Sequence, residues 1–256
     1  VVACEDTRHS RKLLAHYGIG AKVLSCHDHN EESSARQITA LLESGLDVAL
    51  ISDAGTPGIS DPGYRAVSLA AARGLDVTPV PGPSALAAAV SVSGLPTDRF
   101  LFAGFLPPKT SALKVTLQEL AAIKATLVFY CPARRLLTAL NAIHEVIGDR
   151  RAVICREMTK VHEQVSRGRV SDLSGKMESG EIPSKGEAVL LLEGAEREGT
   201  VGSGENLAQD VATILDNTPD ADSLGAKQLT VLAAERLGAP RNRIYPLVCA
   251  WLNRRG

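Results

Sequence analysis

The sequence predicts an α/β protein made of two α/β domains followed by a small helical C-terminal module. Short β-branched runs alternate with helical stretches over the first two thirds of the chain, and Gly/Pro-rich loops follow several of the predicted strands. The 256 residues are 45% apolar with a formal net charge of −1. This composition supplies a real core and excludes a disordered chain.

The first part of the chain predicts parallel βαβ units. The run Asp47-Val-Ala-Leu-Ile-Ser52 is almost wholly apolar, as expected of a strand buried on both faces of a parallel sheet. Asn30 marks the start of one helix and Gly45 its end. The predicted strands are residues 1–4, 22–25, 47–52 and 76–80, and the predicted helices are residues 8–17, 30–44, 64–73 and 84–93.

A second set of strands and helices follows a hinge at residues 95–98. It predicts strands at residues 100–104, 125–131, 151–157, 165–170 and 187–192, with helices at 109–123, 132–147 and 170–179. We therefore expect an N-terminal domain over residues 1–96 and a second domain over residues 97–193.

The last quarter of the chain separates its charges. Residues 194–221 hold six acidic residues and one Arg, which predicts an acidic linker. Residues 222–256 hold six Lys and Arg against two acids and predict two amphipathic helices, at 224–237 and 241–252. The first residues, Val1-Val2-Ala3-Cys4, predict a strand with no element before it, so we expect the first domain to lack its first strand here.

Several classes of protein are excluded or not favoured. No apolar run approaches the roughly 18 residues of a membrane span, and no secretory signal is visible. Five widely spaced cysteines without a CxxC motif argue against a disulfide framework and fit a reducing, cytoplasmic setting. The balanced charge neither indicates nor excludes nucleic-acid binding.

The strongest chemical signals are three loops that follow predicted strands. In open parallel sheets, ligands bind beyond the carboxyl ends of the strands. Glycines allow close approach to a ligand, and prolines stiffen the loop. No dinucleotide fingerprint, Walker loop or GxSxG motif is present. The three loops are Ala3-Cys-Glu-Asp-Thr-Arg8, Ser52-Asp-Ala-Gly-Thr-Pro-Gly-Ile-Ser-Asp-Pro-Gly63 and Pro81-Gly-Pro-Ser-Ala85.

Three further clusters are open to two interpretations. Cys26-His27-Asp28-His29 lacks a second ligand cluster at zinc-site spacing, so we expect no metal and favour an ordinary polar loop at a strand end, with a substrate-contacting loop as the next alternative. Arg134 and Arg135 begin a predicted helix, where cations oppose the helix dipole; they either hold an anion or lie there by chance. Arg156-Glu-Met-Thr-Lys160 is either a functional strand end or an ordinary salt-bridged one.

Taken as an ordered set, these motifs resemble the family of ribosomal RNA small subunit methyltransferases I, within the tetrapyrrole methylase-like superfamily. The resemblance is strong over residues 1–193, and the last two helices resemble the family's small C-terminal domain. The chain departs from the family at its start, where members have a further strand and a Gly-rich loop. The motifs are Glu5-Asp-Thr-Arg8, His27-Asp-His-Asn30, Ser52-Asp-Ala-Gly-Thr-Pro57, Ser60-Asp-Pro-Gly63, Pro81-Gly-Pro-Ser-Ala85, Ser93-Gly-Leu-Pro-Thr-Asp98, Gly104-Phe-Leu-Pro107 and Arg156-Glu-Met-Thr-Lys160.

The resemblance implies two tetrapyrrole-methylase-type domains with a cofactor cleft between them. It implies methyl transfer from S-adenosylmethionine to the ribose 2′-hydroxyl of a cytidine in 16S rRNA, by a homodimer acting on the small ribosomal subunit. The acceptor hydroxyl must lose a proton, so a general base is expected. Its candidates are four carboxylates that the sequence does not distinguish, Glu5, Asp6, Asp53 and Glu157.

The resemblance also implies two sets of binding residues. Those expected to line the cofactor are Gly55, Thr56, Pro57, Ile59, Ser84 and Ala85 from the first domain, with Pro132, Met158 and Gly186 from the second. Those expected to contact RNA are Arg8, His27, Asn30, Arg134, Arg156 and Lys160.

Two other functions remain open from the sequence. A methylase acting on a tetrapyrrole or a diphthamide precursor would keep the cofactor loops without needing the Glu5–Arg8 and Arg156–Lys160 motifs. An inactive RNA-binding assembly protein would bind RNA without turnover. Binding of S-adenosylmethionine, measured together with turnover, separates these alternatives.

Overall fold

The computed structural model describes residues 1–195, 207–219 and 221–254, except for the side chain of residue 222. These residues belong to two compact units, Val1–Gly194 and Ala195–Gly256, which we describe separately. Within the described residues, no helix has the length and apolar character needed to cross a membrane.

A three-stranded parallel sheet forms the N-terminal part of the first unit. Its strands are β1 (Val2–Cys4), β2 (Val23–Ser25) and β3 (Ala49–Ile51), in the order β2-β1-β3. Ala3 lies opposite Leu24 on one side and Leu50 on the other. The helices of this part are α1 (Thr7–His16), α2 (Glu31–Glu43) and α3 (Tyr64–Ala72), and α2 packs on α3. The predicted parallel arrangement is confirmed.

The predicted strand at residues 76–80 is wrong. Residues 75–84 are described and include no strand; they run directly into helix α4 (Ala85–Ser93). Pro79 and Pro81 have no N–H group to donate to a sheet. The side chains of Val77 and Val80 are exposed, Val80 by 88%. The β-branched residues alone therefore did not make this segment a strand.

A five-stranded mixed sheet forms the second part of the same unit. Its order is β4-β5-β8-β6-β7, and its pairs are antiparallel except for β4 with β5. Helices cover one face of the sheet around Phe129 and Leu190, both fully buried. The strands are β4 (Phe100–Phe105), β5 (Thr126–Pro132), β6 (Arg151–Arg156), β7 (Gln164–Arg169) and β8 (Glu187–Leu192); the helices are α5 (Thr110–Leu120), α6 (Leu136–Val146) and α7 (Val170–Glu178).

Helix α4 packs on the opposite face of this second sheet. Its fully buried Ala89 joins a core with Val128, Val153 and Leu191, and its small side chains permit the close approach. Arg167 of β7 donates hydrogen bonds to the last carbonyls of α4, including that of Ser93 at 3.1 Å. The helix that the sequence assigned to the domain at residues 1–96 therefore shares its core with the second sheet.

The described residues of the C-terminal unit form a bundle of three α-helices, α8 (Leu207–Asp216), α9 (Ala226–Leu237) and α10 (Arg241–Leu252). The predicted helices α9 and α10 are confirmed. Part of the stretch predicted as a linker, residues 194–221, instead forms helix α8. Leu207, Val211 and Leu215 recur at helical spacing and are buried against the other two helices. The acidic residues of this stretch concealed that pattern. The rest of the predicted linker, residues 196–206 and 220, lies outside the described residues.

Candidate functional site

The carboxyl ends of the three parallel strands bring four acidic side chains together. Glu5 follows β1, Asp28 follows β2, and Asp53 and Asp61 lie in the loop after β3. Burial raises the pKa of Glu5 above its ordinary value, and the charges of Asp53, Asp61 and Asp28 raise it further, while His27 opposes the rise. Of these four residues, the sequence had proposed Glu5 and Asp53 as candidate bases.

Asp61 is the functional candidate that the sequence analysis missed. Its Oδ2 lies 2.8 Å from the Ser52 hydroxyl and 3.9 Å from the position of a Cβ added at Gly55. Burial raises the pKa of the Asp61 carboxyl; the Ser52 hydrogen bond opposes the rise, and Asp53 and Asp28 add to it. The Ser60-Asp-Pro-Gly63 motif contains Asp61, but this residue lies ten positions after the end of β3, so the sequence did not indicate that it returns to the strand end.

The two predicted cofactor loops of the first domain lie against each other. The Thr56 hydroxyl donates a 3.0 Å hydrogen bond to the carbonyl of Pro83, which joins the loop after β3 to the segment preceding α4. Ser84 caps α4 by accepting from the Ala87 N–H. The residues brought together in this way are Gly55, Thr56, Pro57, Ser84 and Ala85, and in the same loop Ile59 is 36% exposed.

The predicted cofactor residues of the second domain lie at neighbouring strand ends. Pro132, at the end of β5, pairs with Glu187 at the start of β8. The Ala133 N–H then donates to the carbonyl of Gly186 at 2.9 Å. Met158 packs on the same core as α4. Pro132 and Gly186 are therefore adjacent, and Met158 lies on the sheet face that α4 covers.

Glu157 and Lys160 are held in a network of internal contacts. The Glu157 carboxylate accepts from the Glu187 N–H at 2.8 Å, and Lys160 bridges Glu157 and Glu187 at 3.1 and 3.0 Å. The Glu187 hydrogen bond and Lys160 lower the pKa of Glu157. A carboxylate stabilised as the anion is a poor proton acceptor, so this geometry does not favour Glu157 as the base. Lys160 is correspondingly occupied, which does not favour it as an RNA contact.

The backbone is strained in two of these loops. Glu157 and Thr159 have φ values of 51° and 65°, and Ser60 beside Asp61 has φ of 62°. Side chains other than glycine adopt this left-handed region at a cost of about 1–2 kcal/mol each, and such residues concentrate at functional sites. The strain marks the loop of Asp61 and the loop of Glu157 as places where a particular backbone shape is enforced.

Asp6 and Arg156, two further predicted site residues, have structural partners. Asp6 caps α1 by accepting from the Arg8 N–H at 2.8 Å and pairs with the exposed Arg8 guanidinium at 3.2 Å; these Arg8 contacts lower the pKa of Asp6. Arg156 is only 8% exposed, and its guanidinium donates to Gln164, His162 and Lys185. This geometry does not favour Asp6 as the base or Arg156 as an RNA contact.

Asn30 and His27 shape the loop after β2. The Asn30 side chain accepts from the His27 N–H at 2.8 Å and donates to the carbonyl of Ser25 at 3.2 Å, so it stabilises the turn. Because its oxygen is used there, Asn30 does not accept a hydrogen bond from the first N–H groups of α2. His27 Nδ1 is buried with no hydrogen-bond partner among the described residues. Among the described residues, no group of three or more His, Cys, Asp or Glu is arranged to hold a metal ion.

The two arginines at the start of the helix after β5 have different roles. Arg134 is exposed. Arg135 instead donates to the carbonyls of Leu106 and Pro107, the former at 3.2 Å, and so fastens the segment that follows β4. Arg134 therefore stays a candidate for RNA, whereas Arg135 positions a loop.

Comparisons with known proteins agree with this architecture. The family model for tetrapyrrole (corrin/porphyrin) methylases matches residues 1–174. A ribosomal RNA small subunit methyltransferase I from Xylella fastidiosa (strain Temecula1) is 44% identical over 96% of this chain and 88% of the relative. One from Mesorhizobium japonicum is 47% identical over 77% of this chain and 67% of the relative.

Solved structures with similar folds have much lower sequence identity. A diphthine synthase superposes with a TM-score of 0.52 at 15% identity, covering 75% of this chain and 78% of that one. The methyltransferase CobJ superposes with a TM-score of 0.50 at 18% identity, covering 77% of this chain and 95% of that one. At such identities the likeness shows the fold alone.

Proposed function

Since the chain belongs to the tetrapyrrole methylase family, and within it to the ribosomal RNA small subunit methyltransferases I, we propose that it is an S-adenosylmethionine-dependent methyltransferase acting on the ribose 2′-hydroxyl of a cytidine in 16S rRNA. The observation that carries this proposal is the strand-end site. Two joined, glycine-containing loops lie beside carboxylates of raised pKa, at the edge of a parallel sheet where ligands bind.

The residues present fit S-adenosylmethionine. The loop after β3 turns through Gly55 and Gly58, with φ of 96° and 78°, and a Cβ added at Gly58 would meet no described heavy atom within 4 Å. Such a backbone-lined, open turn lets a ligand approach closely. The nearby carboxylates would attract a cationic ligand, whereas a carboxylate cage tight around the sulfur would oppose loss of its positive charge. When bound, the cofactor supplies an already activated methyl group.

We assign Asp61 as the general base. Transfer of the methyl group from sulfur to the ribose O2′ would break the carbon–sulfur bond as the carbon–oxygen bond forms, and the hydroxyl proton must move to an acceptor. Asp6 and Glu157 are stabilised as anions by Arg8 and by the Glu187 N–H. Asp61 is destabilised as an anion by burial and by its acidic neighbours. It therefore takes up a proton more readily, and its half-buried position keeps it fixed in the loop.

Glu5 is the second candidate proton acceptor of the site. The Asp61 charge raises the pKa of Glu5, so a proton gained by one of the two carboxylates lowers the repulsion on the other. The remaining task of the protein is alignment, which alone is worth several kcal/mol when reacting atoms are held in line. We infer that the loops of Thr56 and Ser84 hold the cofactor for this purpose.

We propose that exposed cations in both units contact RNA. In the first unit these are Arg8 and Arg134. In the second unit every Lys and Arg with a described side chain is exposed, and phosphate attraction needs no sequence readout. These residues are Lys227, Arg236, Arg241, Arg243 and Arg254. By resemblance to the family, we also propose that the enzyme is cytoplasmic and acts as a homodimer.

The test of this function combines cofactor binding and turnover. S-adenosylmethionine at ~100 times its dissociation constant should stabilise the protein by about 2.7 kcal/mol, or roughly 5–11 °C in Tm. Radiolabelled methyl should then appear in the RNA of unmethylated small subunits. Stabilisation without transfer would support an RNA-binding assembly role; the absence of any shift would remove the methyltransferase proposal.

A further inference from the structure

The end of strand β4 carries an unusual concentration of aromatic side chains. Phe102 and Phe105 both contact Tyr130 edge to face, with ring centroids 4.8 and 5.4 Å apart and interplanar angles of 65° and 66°. The whole chain has only four Phe and four Tyr. Phe102 and Tyr130 are partly buried, whereas Phe105 is 59% exposed. A large apolar ring is thus presented to solvent on a supported cluster.

A bulge in β4 is what places Phe105 in this cluster. Phe102 pairs with Val128 and Phe105 with Tyr130, so three steps along β4 match two steps along β5. In a regular strand Phe105 would point to the face opposite Phe102. The extra residue, taken up where Gly104 has φ of 67°, returns Phe105 to the face of Tyr130. Bulges re-aim side chains in this way next to active sites.

The aromatic cluster adjoins the proposed catalytic loop. A Cβ added at Gly104 would lie 3.7 Å from the Ser60 hydroxyl, the residue before Asp61. Burial raises the pKa of the Tyr130 phenol, the Leu86 backbone opposes the rise, and Asp61 adds to it, so Tyr130 lies within the field of the proposed base. Arg135 fastens the carbonyls of Leu106 and Pro107 immediately after Phe105. The ring of Phe105 therefore follows a residue that faces Ser60, next to the proposed base Asp61.

We propose that Phe105, supported by Phe102 and Tyr130, is the platform on which the base of the target nucleotide stacks. This inference rests on the proposed RNA function and names a contact that positions the target nucleotide for it. Unpaired bases in RNA are recognised by stacking on aromatic side chains, whose apolar faces are otherwise costly to expose. A base seated on Phe105 would cover the exposed ring and leave its own ribose near Asp61.

The experiment uses the full chain and two readouts. The first is KM and kcat for methyl transfer to small ribosomal subunits. The second is the fluorescence of an oligocytidine that contains one pyrrolocytosine, which is quenched when the fluorescent base stacks. Phe105→Ala should weaken binding of the oligonucleotide by roughly 5- to 150-fold and abolish quenching, since loss of one base–aromatic stack has about that effect. The affinity for S-adenosylmethionine should not change.

Two variants act as controls for this test. Phe100→Ala removes another exposed ring (45%, against 59% for Phe105) from the same strand and should leave quenching unchanged. Phe105→Tyr should restore quenching, while Phe105→Leu, which keeps apolar volume without a ring, should not. If the alanine variant fails to fold, the Leu and Tyr pair decides the question.

Three results would overturn the platform. These are absence of quenching by the wild-type chain, quenching retained in Phe105→Leu, and a change of oligomeric state shared by the Phe100 and Phe105 variants, which would make the face a protein contact. Failure of the proposed function is a separate result: no methyl reaches the ribosomal RNA in the wild-type chain, whatever the oligonucleotide shows.

Discussion

Replacing Asp61 by Asn tests the assignment of the base without changing the shape of the side chain. General-base catalysis contributes about 10²- to 10⁴-fold, or roughly 2.7–5.4 kcal/mol of barrier. The charge of Asp61 acts on Glu5, so the two carboxylates are neighbours. Glu5 can therefore accept the proton in place of Asp61, although from a less suitable position. We therefore expect kcat to fall by about 10²-fold in Asp61→Asn, and further in the double variant with Glu5→Gln.

The pH dependence of the same variant has a defined sign. The base acts only when it is ionised, so kcat should rise as pH increases through the pKa of Asp61. Because burial raises that pKa, the acidic limb should lie at a higher pH than it would for an ordinary aspartate. In Asp61→Asn this limb should disappear or move to the position set by Glu5.

Stability separates loss of catalysis from loss of fold. The pKa of Asp61 is higher in the folded state than in the unfolded chain, so ionisation costs stability, and the cost grows as pH rises between the two values. Asn removes this cost and can still accept from Ser52. The Tm of Asp61→Asn at pH 7 should therefore equal or exceed that of the wild type. A kcat within threefold of wild type, with the acidic limb unmoved, would refute the assignment.

Three other predictions follow from the structure. Gly180→Ala places a side chain at φ of 81° with no described heavy atom within 4 Å of its Cβ, and it should cost about 1–2 kcal/mol of stability, or roughly 2–8 °C in Tm. Gly186→Ala has a similar φ of 92°, but its Cβ would lie only 2.5 Å from the Glu157 carboxylate, so it should lower Tm at least about twice as much. Equal shifts for the two variants would argue against a fixed network around Glu157. Arg134→Ala should flatten the slope of log affinity against log salt by roughly 0.7–0.9, and an unchanged slope would place that phosphate contact elsewhere. Removing residues 195–256 should preserve cofactor binding and weaken small-subunit binding, chiefly at low salt. Removing only residues 218–256 should also cause aggregation, because it uncovers the apolar face of α8. If the affinity for the small subunit at low salt does not change, the C-terminal unit does not dock on RNA.

Regular elements were the most predictable part of the fold. Apolar runs such as residues 47–52 and helical spacing in α9 and α10 depend on local pattern alone, and the structure confirms them. The segment at 76–80 has strand-forming residues but does not form a strand. Helix α8 has a clear apolar face, yet its acidic residues favoured a linker. In both cases the structure depended on contacts with residues distant in sequence. Helix α8 packs on α9 and α10, whereas among the described residues no strand pairs with residues 76–80.

The candidate site was predictable by region but not by residue. The strand-end loops could be recognised because glycine, proline and acidic residues are concentrated there. The choice among carboxylates depends on which N–H or cation each one meets. Asp6 meets the start of its own helix, and Glu157 meets a strand thirty residues away, whereas Asp61 is partly buried, bonds within the described part of the chain only to the neutral Ser52 hydroxyl, and feels the charges of Asp53 and Asp28. Likewise, the bulge that aims Phe105 follows from strand register, which residue types alone do not disclose.

Nucleoside analysis of the methylated RNA tests the central claim most directly. Small subunits that lack the modification are incubated with the protein and isotopically labelled S-adenosylmethionine, and their 16S rRNA is digested to nucleosides for mass spectrometry. We predict one labelled product, 2′-O-methylcytidine, which is formed by the wild type and greatly reduced with Asp61→Asn. Label on a base, label on another nucleoside, or unlabelled RNA from a protein that binds the cofactor would contradict the account.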